Sequence, residues 1–144
     1  MIEPDTIKLL RECDAGVRMG ISSIDEVLEY TQDDEFKKML KDCLEEHISL
    51  DGDIKELLTK YDDEGKEPAA MAKGMSWMKT NVKMMINASD ETIADLITDG
   101  CNMGVKSLHK YLNKYKGADE DSKNIAKRLI NLEEELAIDI RKFL

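Results

Sequence analysis

His47 and Asp51 stand one helical turn apart, an imidazole and a carboxylate at the spacing that puts both on one side of a helix. The segment that carries them, Leu44-Glu45-Glu46-His47-Ile48-Ser49-Leu50-Asp51, recurs as Leu132-Glu133-Glu134-Glu135-Leu136-Ala137-Ile138-Asp139. In that match Glu135 and Asp139 take the places of His47 and Asp51. Asp14 adds a carboxylate at the edge of an apolar helical stripe. Such groups converging inside a protein are costly unless an ion or a proton balances them. Asp14, His47, Asp51, Glu135 and Asp139 are therefore a candidate metal set, with carboxylates suited to a hard ion such as iron or manganese. The blander reading of the same residues is structural. His47 pairs with Asp51 or a neighbouring helix, while Asp51 and Asp139 reach water from the margin of the seam. His109 falls off its helix's apolar face and is assigned to the surface.

A second signal lies in residues 68–86, a stretch expected to form a short helix opened by Pro68. Met71, Met75, Met78, Val82 and Met85 make one stripe with Trp77 near its edge, and Lys73, Lys79 and Lys83 are its charged side chains. Methionine-rich faces adapt to varied partners, and a basic amphipathic helix can lie on lipid or enter a groove. Met71, Met75, Trp77, Met78 and Met85 are thus a candidate surface for a protein or lipid partner. The plainer alternative packs that face on the rest of the molecule. In a third arrangement its margin joins a homodimer contact.

The elements that position these residues are legible from periodicity. A helix is expected from the Pro4-Asp5-Thr6 start to about Tyr30, with the stripe Ile7, Leu10, Val17, Ile21, Ile24 and Leu28. A second starts at Asp33-Asp34, with the seam Phe36, Leu40, Cys43, His47, Leu50, Ile54, Leu57 and Tyr61. Ser89 caps a third that runs to Tyr115, and the last starts near Ser122 with Ile125, Leu129, Leu132, Leu136, Asp139 and Phe143 on one face. Met19-Gly20-Ile21-Ser22-Ser23-Ile24 returns as Met103-Gly104-Val105-Lys106-Ser107-Leu108, so the chain reads as two related helical hairpins, about 6–62 and 89–144. The link at 63–88 is long enough to cross a bundle. Gly16 and Gly20, matched by Gly100 and Gly104, predict close approach of the facing helix.

The chain has a formal net charge of −10, which argues against nucleic acid and anionic membrane surfaces as partners. Cys13, Cys43 and Cys101 form no CxxC pair and fit a reducing cytoplasm better than a disulfide framework or a zinc knuckle. Neither a leader peptide nor a transmembrane segment is expected. A single domain spanning 1–144 accommodates all of it. Phosphate-binding glycine loops and Ser/His/Asp or Cys/His constellations are absent from the sequence, so catalytic residues are not expected.

On these residues the chain resembles the ferritin-like superfamily, and in particular its small bacterial members of unknown function, some of them stress-associated. The resemblance rests on the hairpin duplication, the crossover and the Leu132–Ile140 stretch. It implies an all-α, antiparallel four-helix bundle with an extra short helix in the crossover. It also implies a di-iron centre built from a Glu on helices 1 and 3 and Glu-x-x-His on helices 2 and 4. This sequence departs there: Ile48 and Ser49 follow Glu45 and Glu46 at that spacing, and Leu136 and Ala137 follow Glu133 and Glu134. The favoured reading is a non-enzymatic structural or interaction protein without a bound cofactor. A metal-binding or oxidase-like protein with a rearranged carboxylate and histidine site is the alternative, and lipid or peptide binding through 68–86 is another.

Overall fold

The computed structural model describes residues 3–68 and 89–144. They form four helices: α1 (Pro4–Leu28), α2 (Asp34–Lys60), α3 (Asp90–Lys114) and α4 (Glu120–Asp139), with a closing 3-10 turn over Ile140–Phe143. The extra helix expected at 68–86 falls, apart from Pro68, outside the described residues. Proline begins α1, where its missing N–H costs nothing. Asp33, Ser89 and Asp119 cap the other three, their side chains accepting from the amides of Phe36, Thr92 and Ser122 at 2.9, 3.2 and 2.8 Å. Each such cap stabilises its helix by about 1 kcal/mol. The last helix starts ahead of the expected Ser122 because Asp119 is its cap.

Hydrogen bonds between helix ends set the directions. The carboxylate of Asp90, first residue of α3, accepts the amides of Gln32 and Asp33 in the α1–α2 turn, each at 2.9 Å. At the other end Asp5 accepts the Gly117 amide and the Thr6 hydroxyl accepts the Asp119 amide, both at 2.9 Å. Helices α1 and α3 are therefore antiparallel, and so are α2 and α4. The chain leaves α2 at one end of the bundle and enters α3 at the other, a distance of roughly 40 Å for a helix of this length. Helices α1 and α4 each touch all three others, while α2 and α3 take the far corners.

This arrangement widens the buried arc of α1. Leu9, Cys13 and Val27 are fully buried beside the expected Leu10, Val17 and Ile24, whereas Ile7, Ile21 and Leu28 are only half-buried. Burial in α3 follows α1 at a spacing of 84: Leu9 with Ile93, Leu10 with Ala94, Cys13 with Ile97, Val17 with Cys101, Ile24 with Leu108. Burial in α4 follows α2 at a spacing of 86: Phe36 with Ser122, Leu40 with Ala126, Cys43 with Leu129, His47 with Glu133, Leu50 with Leu136, Ile54 with Ile140. The caps Asp33 and Asp119 keep that same spacing.

The expected seam of the last helix is corrected by this pattern. Matching the Leu-Glu-Glu triplets pairs residues 88 apart, and two residues along a helix turn the side chain by roughly 200°. Glu135 and Asp139 consequently face solvent, and the buried partner of His47 is Glu133. Likewise Leu58, rather than Leu57 or Tyr61, is the buried residue at the end of α2.

The buried side chains form two clusters. One holds Ile24, Val27, Phe36, Leu40, Cys43, Ile93, Ile97, Cys101, Leu136 and Ile140; the other holds Leu9, Leu10, Val17, Leu50, Ile54, Leu108, Ile125 and Leu129. On every helix the boundary between them falls at the same level, at Gly20, His47, Gly104 and Glu133. At Gly20 and Gly104 the close approach is made by side chains of neighbouring helices. A Cβ on Gly20 would stand 2.8 Å from Cδ2 and 2.9 Å from Nε2 of His47, and one on Gly104 would collide with the Glu133 carboxyl. Gly16 is looser, at 3.4 Å from Leu129.

Two glycine substitutions separate packing from helix propensity. Gly52→Ala, on the exposed side of α2 with nothing within 4 Å, is expected to raise stability by about 0.5–1 kcal/mol. Gly20→Ala is expected to lower it by about 1–2 kcal/mol, because the anchored His47 ring must shift. Urea midpoints of the two variants check this; equal gains would show that His47 does not fill the space over Gly20.

Candidate functional site

A cleft of about 350 Å³ opens between α1 and α3. Its walls include Ala15, Met19, Gly20 and Ile24 of α1 and Leu96, Ile97, Cys101 and Gly104 of α3, and His47 and Glu133 line it from α2 and α4. The two polar side chains thus reach an otherwise mostly apolar space from the two helices that do not wall it. They reach it because Gly20 and Gly104 have no side chains to stand in the way.

His47 is 1% exposed. Its Nδ1 lies 2.8 Å from the carbonyl oxygen of Cys43, one turn back, and 3.5 Å from the Cys43 thiol. A carbonyl only accepts, so Nδ1 carries the proton and Nε2 is left as an acceptor on the edge turned to Gly20. Burial lowers the His47 pKa, opposed by the bond to Cys43, and keeps the ring neutral. The expected pairing with Asp51 is replaced by this bond within the helix. Asp51 lies at the margin and pairs with Lys55 at 2.9 Å, leaving Oδ1 without a hydrogen-bond partner among the described residues.

Glu133 is 9% exposed, and its Oε2 is buried with no hydrogen-bond partner among the described residues. Burial pushes its pKa up to about 8, so at neutral pH it is mainly the protonated acid. The thiols nearby are held in their neutral form, with burial raising Cys43 to about 12 and Cys101 higher still. Neither is a nucleophile in this setting.

Asp14 serves another purpose. It is fully buried, and its Oδ2 accepts the Lys66 amide at 2.9 Å. Arg18 Nε stands 3.3 Å from Oδ1, close enough to ion-pair but outside hydrogen-bond geometry. Around it the chain leaving α2 is clamped onto α1. Asp63 forms two bonds to the Arg11 guanidinium at 3.1 and 2.6 Å, and Lys66 Nζ meets Glu12 at 2.6 Å. Asp62 and Gly65 take positive φ values of 57° and 83° to make the turn. Asp14 anchors this loop.

The five residues of the candidate metal set are therefore dispersed: Asp14 under the loop, Asp51 with Lys55, Glu135 and Asp139 on the surface, His47 alone in the cleft. Among the described residues no group of three or more His, Cys, Asp or Glu side chains could hold a metal ion. The expected partner surface, Met71, Met75, Trp77, Met78 and Met85, lies outside the described residues. No described helix is long and apolar enough to cross a membrane. Glu133 is the site residue that sequence reasoning passed over. Its signal was available, since Ala126, Leu129, Glu133, Leu136 and Ile140 repeat at spacings of three and four.

No family model matches the chain, and no curated protein or solved structure shows significant similarity to it.

The buried acid gives a pH signature. A folded-state pKa near 8, above the ordinary 4.5, means that its share of stability is complete below about pH 4.5 and is lost as pH rises through 8. His47 acts in the opposite sense, its share being present above its ordinary 6.5 and lost on acidification. Between pH 5 and pH 8 the wild type is expected to lose stability relative to Glu133→Gln, by no more than about 1.4 kcal/mol per pH unit. Urea unfolding of both proteins across that range checks it. Parallel curves would mean that Glu133 is ionised in the fold.

Proposed function

We propose that this chain is a ferritin-like bundle, made of two related hairpins, which has no di-iron centre and works as a non-enzymatic binding module through the cleft between α1 and α3. Support for the ancestry comes from the antiparallel four-helix arrangement, the full-length traverse between α2 and α3, and the burial patterns repeated at 84 and 86 residues. The level at which His47 and Glu133 interrupt the core is the natural place for a metal centre in such a bundle.

The residues at that level do not fit two metal ions. Helices α1 and α3 contribute glycines, and α2 and α4 contribute one donor side chain each, His47 and Glu133. Burial favours the neutral form of each, and there are too few charges to balance a pair of hard cations.

The observation that carries the binding reading is Glu133: a buried carboxyl oxygen with no partner among the described residues, on a side chain that lines a mostly apolar cleft of a size that holds small molecules. An unpartnered buried polar group costs about 1–3 kcal/mol, a cost that a ligand in the cleft offsets. Catalysis is a poorer match, because the buried thiols are kept neutral and the histidine has no second group to relay a proton to.

Two measurements test this. Protein from cells grown with iron and manganese is expected to carry far less than one metal ion per chain by elemental analysis. Stoichiometric metal that disappears in His47→Ala would overturn the reading. In a titration with 1-octanol followed by amide chemical shifts, the responding residues are expected to be those around Ile24, Leu96, Ile97 and Gly104. A folded Ser107→Phe variant, with its cleft narrowed, should lose the response. Shifts scattered elsewhere, or unchanged by the substitution, would remove the cleft from the argument.

A further inference from the structure

Resting on the cleft as a binding site, we infer that its ligand is a small free amine, protonated in solution and carrying an apolar tail, held at its cationic end by Glu133 and His47. At the level of Gly20 and Gly104 the cleft offers two acceptors that differ in kind. His47 Nε2 has a lone pair and no proton, because Nδ1–H is committed to the Cys43 carbonyl. Glu133 Oε2, once the carboxyl is ionised, is an acceptor with no partner of its own among the described residues. An ammonium group donates three N–H bonds and brings the positive charge that this carboxylate lacks.

Other head groups match less well. A carboxylate has no proton to give the Nε2 lone pair, and it would bring a negative charge into the cleft with no cation to balance it. An alcohol donates one hydrogen bond where an ammonium donates three, and it brings no charge with which to pair an ionised Glu133. The surroundings favour a cation as well. The chain carries a net charge of −10, and Lys66, near the cleft wall, is engaged with Glu12 and not free to oppose a cation there. To one side of that level the lining is chiefly Ile24, Leu96, Ile97 and Leu136, which take up an alkyl or aryl tail. Burial of Glu133 works in the same direction: the ion pair replaces a carboxyl kept neutral by desolvation with one balanced by charge.

The test compares three ligands of equal tail length, octylamine, 1-octanol and octanoate, by amide-shift titration at pH 7 and below their micellar range. Octylamine is expected to bind at least tenfold more tightly than 1-octanol, the ratio that one charge-assisted hydrogen bond supplies, and octanoate more weakly than either. In Glu133→Gln, which keeps the shape and removes the charge, the octylamine preference should fall to about one while 1-octanol binding persists. Equal binding of octylamine and 1-octanol by the wild type would overturn the amine assignment and leave the cleft as a binding site. An octylamine preference that survives Glu133→Gln would overturn it too. Failure of all three ligands would overturn the cleft itself.

Discussion

The rest of the molecule is arranged around one level of the bundle, where two large polar side chains must be housed in an apolar interior. His47 and Glu133 come from α2 and α4, and room for them exists because α1 and α3 carry glycine at the same height. Glycine inside a helix costs up to about 1 kcal/mol relative to alanine, so two at one level represent a real sacrifice of helix stability. The core above and below is close-packed aliphatic, and it makes up for the loss. Any side chain at Gly20 or Gly104 would push His47 or Glu133 aside and close the cleft they line.

Helix register is held from the ends rather than from the middle. Asp90 gathers the two amides of the α1–α2 turn, and Asp5 with Thr6 gathers two from the α3–α4 turn. Asp119 is the busiest of these residues: it caps α4, donates its amide to Thr6 and accepts the Tyr61 hydroxyl at 2.7 Å. These bonds fix how far each helix slides along its neighbour, and that in turn places Gly20 opposite His47 and Gly104 opposite Glu133. The clamp of Asp14, Arg11, Asp63 and Lys66 fixes the exit of α2 in the same way. A buried aspartate that looks like a ligand in isolation is here a loop anchor. The bond it makes is to the Lys66 backbone amide in that loop.

The two polar groups at the central level have opposite titration preferences. Burial keeps the imidazole neutral by lowering its pKa and keeps the carboxyl neutral by raising its own. The centre of the bundle is therefore uncharged at neutral pH, and the absence of a buried countercharge becomes tolerable. This condition accounts for the apolar character of the cleft despite the acidic surface around it.

Much of the architecture was legible in the sequence. Period, caps and punctuation placed the four long helices within a few residues, because helix ends are local events governed by Asp33, Ser89 and Asp119 and by the polar turns between them. The match of Met19–Ile24 with Met103–Leu108 also held its register, since burial follows it at 84. The match of Leu44–Asp51 with Leu132–Asp139 misled. The identity of Leu-Glu-Glu fell on a surface-dominated stretch, and an error of two residues turned a helix nearly to its opposite face. Sequence thus determined which residues form helices, where those helices stop and that one histidine sits on a seam, because these depend on neighbours within a turn or two. Only the tertiary structure decided that Glu133 shares its level, that Asp14 holds a loop, and that Glu135 and Asp139 face water. Those outcomes depend on how each helix is rotated and slid against three others, which is set by end-to-end hydrogen bonds between residues as far apart in the chain as Asp5 and Gly117.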